Sequence, residues 1–361
     1  MKKLEVIIAS ILVKITYYLT YLFPINNKQI SIISYFNNDL GLEFSKLVNQ
    51  LNNNYKFKYD LRKFNNSYLG KFQYLFSFIH QTYLFNTSKL IILDGNSFVY
   101  SRINAKNKVQ VMQLWHAIGA IKEFGQASER RYEIKGYDYL ITSSDYFRDI
   151  FSLRLNTKKD HTFDLGNIKS DYLFDNNFIN ENKVAFYQKY PQYKNKRIIL
   201  YAPTFRGKGI DDINFEFKLD ELKNQLKDDE VLIIKKHPLT KTILLENDLS
   251  NEDLYQLLIV SDIIISDYSA LIFEAILLKK KLILYWYDYE KYVKERGICI
   301  DIKQLNLPIV YNICDLCDII CKIKNNDYQD QKSYFLNKCD GHSLDRVIEL
   351  IKNIMDGEMN A

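Results

Sequence analysis

At 361 residues the chain exceeds what one core fills comfortably and points to two domains. Apolar residues at 47 % and charged residues at 26 % exclude a disordered or fibrous chain. A net charge of +5 is too small to indicate a nucleic-acid partner and suits an anionic substrate or an anionic membrane surface.

The first predicted element is an apolar run from Leu4 to Phe23 behind Lys2 and Lys3. No small-residue cleavage site follows it, and Phe23-Pro24 ends it. Glu5, Lys14 and Thr16 make a spanning helix costly, and with Ser10 and Thr20 they gather on about one half of the circumference. Two readings fit: a helix in the membrane interface with Tyr17, Tyr18 and Tyr21 at headgroup level, or an ordinary core helix. From Gln29 short apolar strands alternate with helices. The expected strands are Ile30–Tyr35, Leu90–Leu93, Val109–Leu114, Tyr139–Thr142 and Thr162–Leu165, with helices over Leu42–Leu51, Tyr68–Phe85 and Asp145–Leu155. The polar, Asn-rich stretch Phe174–Tyr193 reads as a domain boundary.

Beyond it the theme repeats. Strands are expected at Arg197–Tyr201, Val231–Lys235, Ile263–Ser266 and Lys281–Trp286. Helices are expected at Leu219–Gln225, Leu254–Val260, Ala270–Leu278, Tyr289–Glu295, Asp315–Ile323 and Leu344–Met355. Alternation of this kind predicts an α/β chain of two doubly wound, Rossmann-like domains, with ligands at the carboxyl ends of the strands in a central cleft. The expected boundaries are 1–28 for the membrane-associating helix, 29–180 and 181–340 for the domains, and 341–361 for a helix crossing back. Cys314, Cys317 and Cys321 continue an apolar helical stripe with Ile313, Leu316 and Ile320, so they read as core and not as a metal site.

Three segments put polar groups at strand ends. In QLWHAIGAIKEFG (113–125) a strand runs into His116, which can take a proton near neutral pH or simply bond a neighbouring carbonyl. Two of only five histidines end strands, which favours function. In LYAPTFRG (200–207) Arg206 is placed to hold phosphate oxygens, although a plain surface arginine fits the same residues. Nearby, IIKKHP (233–238) ends on His237, and Lys235, Lys236 and His237 concentrate positive charge where a diphosphate could lie. In VSDIIISDYSALIFE (260–274) a strand ends at Ser266 and a helix begins with Ser269 as its expected cap. The first N–H groups of that helix suit an anion, while Asp267 and Glu274 suit orienting a lysine, a histidine or a ribose hydroxyl. The absence of a P-loop or GxGxxG fingerprint counts against ATP hydrolysis and dinucleotide redox chemistry.

These segments, with YDYLITSSDYFRDIF, SDIIISDYSALIFEAILLKK, YDYEKYVKERG and DGHSLDR, run in order from Val109 to Arg346. Together they resemble the CDP-glycerol glycerophosphotransferase family that builds teichoic acids and related capsular polymers. The resemblance implies a GT-B fold, with the acceptor in the N-terminal domain and the nucleotide donor in the C-terminal one. It implies that His116 acts as base or positions the attacking hydroxyl, with His237, Arg206 and the Ser266–Ser269 helix start, along with Asp267 and Glu274, at the donor phosphates. It further implies CDP-glycerol as donor, an undecaprenyl-diphosphate-linked glycan as acceptor, release of CMP, and a place on the cytoplasmic face of the membrane. Cations can stabilise charge spreading onto the phosphate oxygens, so no metal or other cofactor is expected.

The chain departs from the family at WHAIGAIK (115–122), where many members read WHGTPLK, and this form, like the compact length, looks like the priming enzymes. Glu274 stands where an aspartate is common, and Asn167–Asp171 lacks a proline and an arginine often found there. These departures leave ribitol phosphate or another polyol phosphate as alternatives. A nucleotide-sugar GT-B transferase and an idle scaffold protein are further readings. Retention of His116, Arg206, His237 and Asp267–Ser269 argues against the scaffold.

Overall fold

Runs of Ile, Leu and Val too short and too apolar for surface helices form parallel strands buried on both faces. The computed structural model describes residues 3–63, 68–128, 132–204, 206, 219–237 and 247–358. In chain order the first half holds α1 (Lys3–Tyr21), β1 (Asn26–Ser34), α2 (Gly41–Leu51), β2 (Lys56–Leu61), α3 (Tyr68–Thr87) and β3 (Ser88–Leu93). Next come β4 (Gln110–Leu114), β5 (Tyr139–Thr142), α4 (Asp145–Arg154), β6 (Thr162–Asp164), α5 (Asn176–Lys189), β7 (Arg197–Ala202), α6 (Leu219–Lys223) and β8 (Glu230–Ile234). Then follow α7 (Leu254–Val260), β9 (Ile263–Ser266), α8 (Leu271–Leu277), β10 (Lys281–Tyr285), α9 (Tyr289–Arg296) and α10 (Ile302–Leu305). The chain ends with β11 (Ile309–Val310), α11 (Ile313–Lys322), α12 (Gln329–Phe335) and α13 (Ser343–Asp356).

The chain divides into two compact units. The first comprises Met1–His116, Phe124–Asp171 and Asn337–Ala361; the second comprises Ala117–Glu123 and Tyr172–Leu336. The first unit carries a six-stranded parallel sheet in the order β2-β1-β3-β4-β5-β6. Ile30, Ile32, Leu90, Ile92 and Met112 on one face pack against α2 and α13. Two features seat α13. Asp171 accepts hydrogen bonds from the N–H groups of Ser343 (3.1 Å) and Leu344 (2.7 Å), putting a carboxylate on the positive end of the helix. Gly166, at φ +94°, lies where a Cβ would come within 2.3 Å of the Lys338 carbonyl and the Ser343 hydroxyl, so no side chain fits.

The second unit carries a five-stranded parallel sheet, β11-β10-β9-β7-β8. Ile199, Ile234, Ile265 and Ile283 pack against Leu316, Cys317 and Ile320 of α11. Cys317 is therefore core, as the stripe suggests, but Cys314 and Cys321 are exposed.

The Asn-rich stretch is not a linker. Residues 176–189 form α5, started by Asp175, whose carboxylate accepts from the N–H groups of Asn177 (3.0 Å) and Phe178 (3.3 Å). One strong cap outweighs the poor helix propensity of the asparagines. The N-terminal helix packs one face on protein, as the core-helix reading expects, and exposes the other. Ala9, Val13 and Thr16 are buried as α1 packs on α3, while Leu4, Ile7, Ile8, Ile11, Ile15 and Leu19 are exposed. Asn86 of α3 donates to the Tyr17 carbonyl (2.9 Å) and the Thr20 hydroxyl (2.7 Å).

Replacing Asp171 with Ala should cost about 1–2 kcal/mol, the usual value of a helix cap with charge–dipole support. Urea unfolding checks this; an unchanged midpoint would show that α13 docks through its apolar face alone.

Candidate functional site

Parallel strands end at one edge, so the loops after them collect polar groups there. In the first unit the residues following β1, β3 and β4 converge. Asp94, after β3, is buried and accepts from the Ser34 hydroxyl and from the Tyr35 N–H (3.1 Å). Burial pushes its carboxyl up to about 6 against the pull of these two donors. His116, two residues beyond β4, has Nδ1 3.3 Å from the Asp94 carbonyl oxygen. A carbonyl only accepts, so Nδ1 carries the proton and the lone pair of the neutral ring sits on Nε2. The Phe36 and Trp115 rings lie 4.1 and 4.6 Å from the imidazole and fix its plane. Lys169 pairs with Glu43 (2.8 Å) and approaches the His116 carbonyl (3.4 Å), while Asn167 donates to the Trp115 carbonyl (3.2 Å). Lys169 thus supplies a cation at this edge.

In the second unit the ends of β7, β8, β9 and β10 bring Arg206, His237, Asp267 and Asp288 together on neighbouring loops. Asp267 is fully buried and accepts from the N–H groups of Thr204 (2.8 Å) and Tyr268 (2.6 Å) and from Arg206 (2.8 Å). Arg206 is also held by Asp288, through Nε (2.6 Å) and Nη2 (3.2 Å), and gives Nη1 to the Thr204 carbonyl (2.7 Å). The Tyr268, Tyr287 and Tyr292 rings surround it at 5.2–5.3 Å. Burial opposes the charge, but Asp267 and Asp288 outweigh it and hold the guanidinium pKa above its usual value.

This geometry revises the part assigned to Arg206. Each of its nitrogens faces a carboxylate or a carbonyl, so the guanidinium organises the loops and is not presented as a fork. Ser266 is also placed in the structure's interior: it is fully buried and its hydroxyl donates to the Ala202 carbonyl (2.9 Å), tying β9 to β7. Ser269 is not the cap of α8. Ala270 occupies that position, and the Ser269 hydroxyl accepts a long bond (3.4 Å) from the Leu271 N–H. Glu274 lies buried in the first turn of α8. Lys235 and Lys236 are likewise committed. Lys235 donates to the Ser250 (3.1 Å) and Glu252 carbonyls, and Lys236 pairs with Asp248. Phe205, Gly207 and Pro238 lie outside the described residues.

The cation that does face this region is Lys122, a residue the sequence offered only as part of a longer segment. Residues 121–123 pair antiparallel with the chain after α9: Lys122 bridges Ile298, Cys299 N–H donates to the Ile121 carbonyl (2.8 Å), and Glu123 N–H to that of Gly297 (3.1 Å). Burial brings the Lys122 ammonium down to about 8 despite Asp267, with Arg296 and Arg206 pushing the same way. His237 is held down at about 4, first by burial and then by the Lys122 charge. At neutral pH this histidine is uncharged, a hydrogen-bonding group beside a lysine. The buried Thr204 hydroxyl has no hydrogen-bond partner among the described residues. Cationic and neutral donors of this sort can hold phosphate oxygens. Asp94, Glu43, Lys122 and Asp288 were all missed as site residues; Asp94-Gly95 at a strand end was the one local signal available.

The sequence model of the family described as CDP-Glycerol:Poly(glycerophosphate) glycerophosphotransferase matches residues 15–353. The chain belongs to this family. It is 28 % identical to the teichoic acid ribitol-phosphate primase of Bacillus spizizenii over 93 % of its own length and 94 % of that protein. It is 32 % identical to the teichoic acid glycerol-phosphate primase of Bacillus subtilis over 61 % of each. It is also 28 % identical to the teichoic acid poly(ribitol-phosphate) polymerase of Bacillus spizizenii, of whose length it spans 57 %. The structure of the wall teichoic acid polymerase TagF with CDPG superposes with a TM-score of 0.74 at 20 % identity, covering 97 % of this chain and 94 % of that one. The fold of this glycerophosphotransferase family member is accordingly α/β of the GT-B type, as the resemblance implied.

His237 gives a signed pH prediction. Its folded pKa, about 4, lies below the ordinary 6.5, so the unfolded chain binds the extra proton and stability falls as pH drops through that interval. Asp94, raised to about 6, acts in the opposite sense there. Replacing His237 with Asn should therefore flatten the acid loss of stability relative to the parent between those two pH values. Thermal melts of both proteins across the interval check this; parallel curves would mean that the histidine is solvated.

Proposed function

We propose that this protein transfers glycerol phosphate from CDP-glycerol to a hydroxyl of an undecaprenyl-diphosphate-linked glycan, releasing CMP, in teichoic acid or capsular polymer synthesis. The match of the family over residues 15–353, which takes in His116, Lys122, His237 and Asp267, carries this reading. His116 is the base: with Nδ1 committed to the Asp94 carbonyl, Nε2 takes the proton of the attacking hydroxyl. That oxygen forms a bond to the phosphorus bearing the glycerol, the bond from this phosphorus to the bridging oxygen breaks, and CMP leaves. Lys122 and neutral His237 suit the charge that develops on the leaving phosphate. No step draws on a metal ion, and transfer should withstand a chelator.

A second reading, ribitol phosphate from CDP-ribitol, is favoured by one observation: the match to the ribitol-phosphate primase extends over nearly the whole of both chains. The deciding assay mixes the protein with a lipid-linked disaccharide and either CDP-glycerol or CDP-ribitol and follows CMP. Acceptor-dependent release from CDP-glycerol supports the first reading, release from CDP-ribitol alone supports the second, and silence from both removes polyol-phosphate transfer. In the active assay His116→Ala should lower kcat by about 10²–10⁴ with little change in KM for the donor. Full activity in that variant would move the base elsewhere.

The protein works peripherally on the cytoplasmic face of the membrane, where its lipid-linked acceptor is made. Support comes from the outer face of α1, whose exposed apolar side chains run from Leu4 to Leu22, and from exposed Phe72 and Phe76 on α3. A helix with one side packed on protein along its length lies in the interface and does not cross the bilayer. Replacing Ile8 and Ile15 with Asp should release the protein from vesicles in a flotation assay, each buried side chain otherwise contributing about 1.5–3 kcal/mol. Retention of the double variant would assign membrane binding to another surface.

A further inference from the structure

At the C-terminal end of α1 the apolar face meets a different surface. Tyr21, Phe23, Pro24, Lys106 and Lys108 line a cavity of about 480 Å³. The Lys106 ammonium donates to the carbonyls of Phe23 (2.8 Å) and Asn86 (2.8 Å) and lies 5.1 Å from the centre of the Tyr21 ring. Carbonyls and a ring face orient this charge without neutralising it, and no carboxylate pairs with Lys106 or Lys108 among the described residues. Next to it, the Lys135 ammonium donates to the Ile103 carbonyl and the Asn104 side chain (2.9 Å), and the Tyr17 hydroxyl of α1 donates to the Asn104 carbonyl (2.7 Å). The loop beneath α1 thus sets fixed positive charges at the level where its aromatic residues Tyr17, Tyr18 and Tyr21 end the apolar face. Tyrosine belts and lysines of this kind mark the headgroup layer of a bilayer.

We propose that this cavity is a binding site for the phosphate headgroup of an anionic phospholipid, taken up while the outer face of α1 lies among the acyl chains. Lys106 and Lys108 meet the phosphate oxygens, and Tyr21 and Phe23 cover the glycerol backbone. The proposal rests on the membrane reading of α1 and adds lipid selectivity to it. The occupant is a lipid already in the bilayer, distinct from donor and acceptor.

The test is flotation of the full chain with phosphatidylcholine vesicles with and without phosphatidylglycerol. Anionic vesicles should bind more tightly. Lys108→Glu and Lys106→Gln should each weaken binding to the anionic vesicles at least about fivefold, the worth of one basic residue at such a surface, and leave neutral vesicles unaffected. Lys108 is exposed and makes no internal hydrogen bond among the described residues, so its variant folds even if Lys106→Gln does not. The control is Lys352→Glu on α13, an equal charge change on a helix that packs against the face of the sheet bearing Ile30 and Ile32. Equal losses from Lys108→Glu and Lys352→Glu would reduce the effect to net charge and overturn the site. So would binding without anionic preference, which leaves the membrane reading standing. Failure to bind either vesicle would remove both readings, while CMP release with a detergent-dispersed acceptor would still report on the transferase.

Discussion

A buried carboxylate cannot stay ionised without donors around it, and in the second unit that requirement falls on Asp267. Its oxygens take the Thr204 and Tyr268 N–H groups and the Arg206 guanidinium, so the turns after β7 and β9 have one mutual arrangement. Arg206 then binds Asp288 in bidentate fashion and carries the constraint to the loop after β10. Tyr268, stacked 3.6 Å from Tyr292 and 5.2 Å from Trp286, closes the aromatic side. Loops that would each wander by themselves become a rigid rim, and the polar groups of the site inherit that rigidity. The net contribution of such a network to stability is small, because desolvation offsets attraction; its consequence is fixed geometry.

The first unit reaches the same end with one acid. Asp94 uses its carboxylate oxygens on the Ser34 hydroxyl and the Tyr35 N–H and its main-chain carbonyl on His116. One residue therefore sets the turn after β1 and the tautomer of the histidine after β4. The imidazole is thus oriented by a main-chain carbonyl of the neighbouring strand end.

The architecture was legible because buried parallel strands write themselves as apolar runs: strands Tyr139–Thr142 and Ile263–Ser266 fall where those runs put them, and helix α7 falls at Leu254–Val260 as expected. Edges and non-local features were not. Strand β2, Lys56–Leu61, alternates charge and aromatics at the sheet's margin, with Asp60 turned inward to Ser77 (2.5 Å) and His80 (2.9 Å), a pattern no apolar count detects. In the candidate site, strand ends marked His116, His237 and Asp267, and each follows the end of a strand in the structure. Strand ends could not say what each charge faces. Lys235 and Lys236 stand beside His237 in sequence yet both turn to the loop at 248–252, whose carbonyls and Asp248 are brought there by a contact remote in sequence. Lys122 arrives there through pairing with Ile298, a contact with no local signature.

Charge in a sequence and charge available to a ligand are therefore different quantities here. Of the cations near the ends of β7 to β10, Arg206, Lys235 and Lys236 are turned to protein acceptors, while Lys122 lies beside His237 and lowers its pKa. Both are held below their ordinary pKa values, first by burial; Arg296 and Arg206 add to this at Lys122, and the Lys122 charge adds to it at His237. A phosphate oxygen placed between them reverses that balance, since a nearby negative charge favours the protonated form of each. The same burial that disfavours charge on these groups in isolation strengthens their attraction for any such anion, because little water remains to screen it.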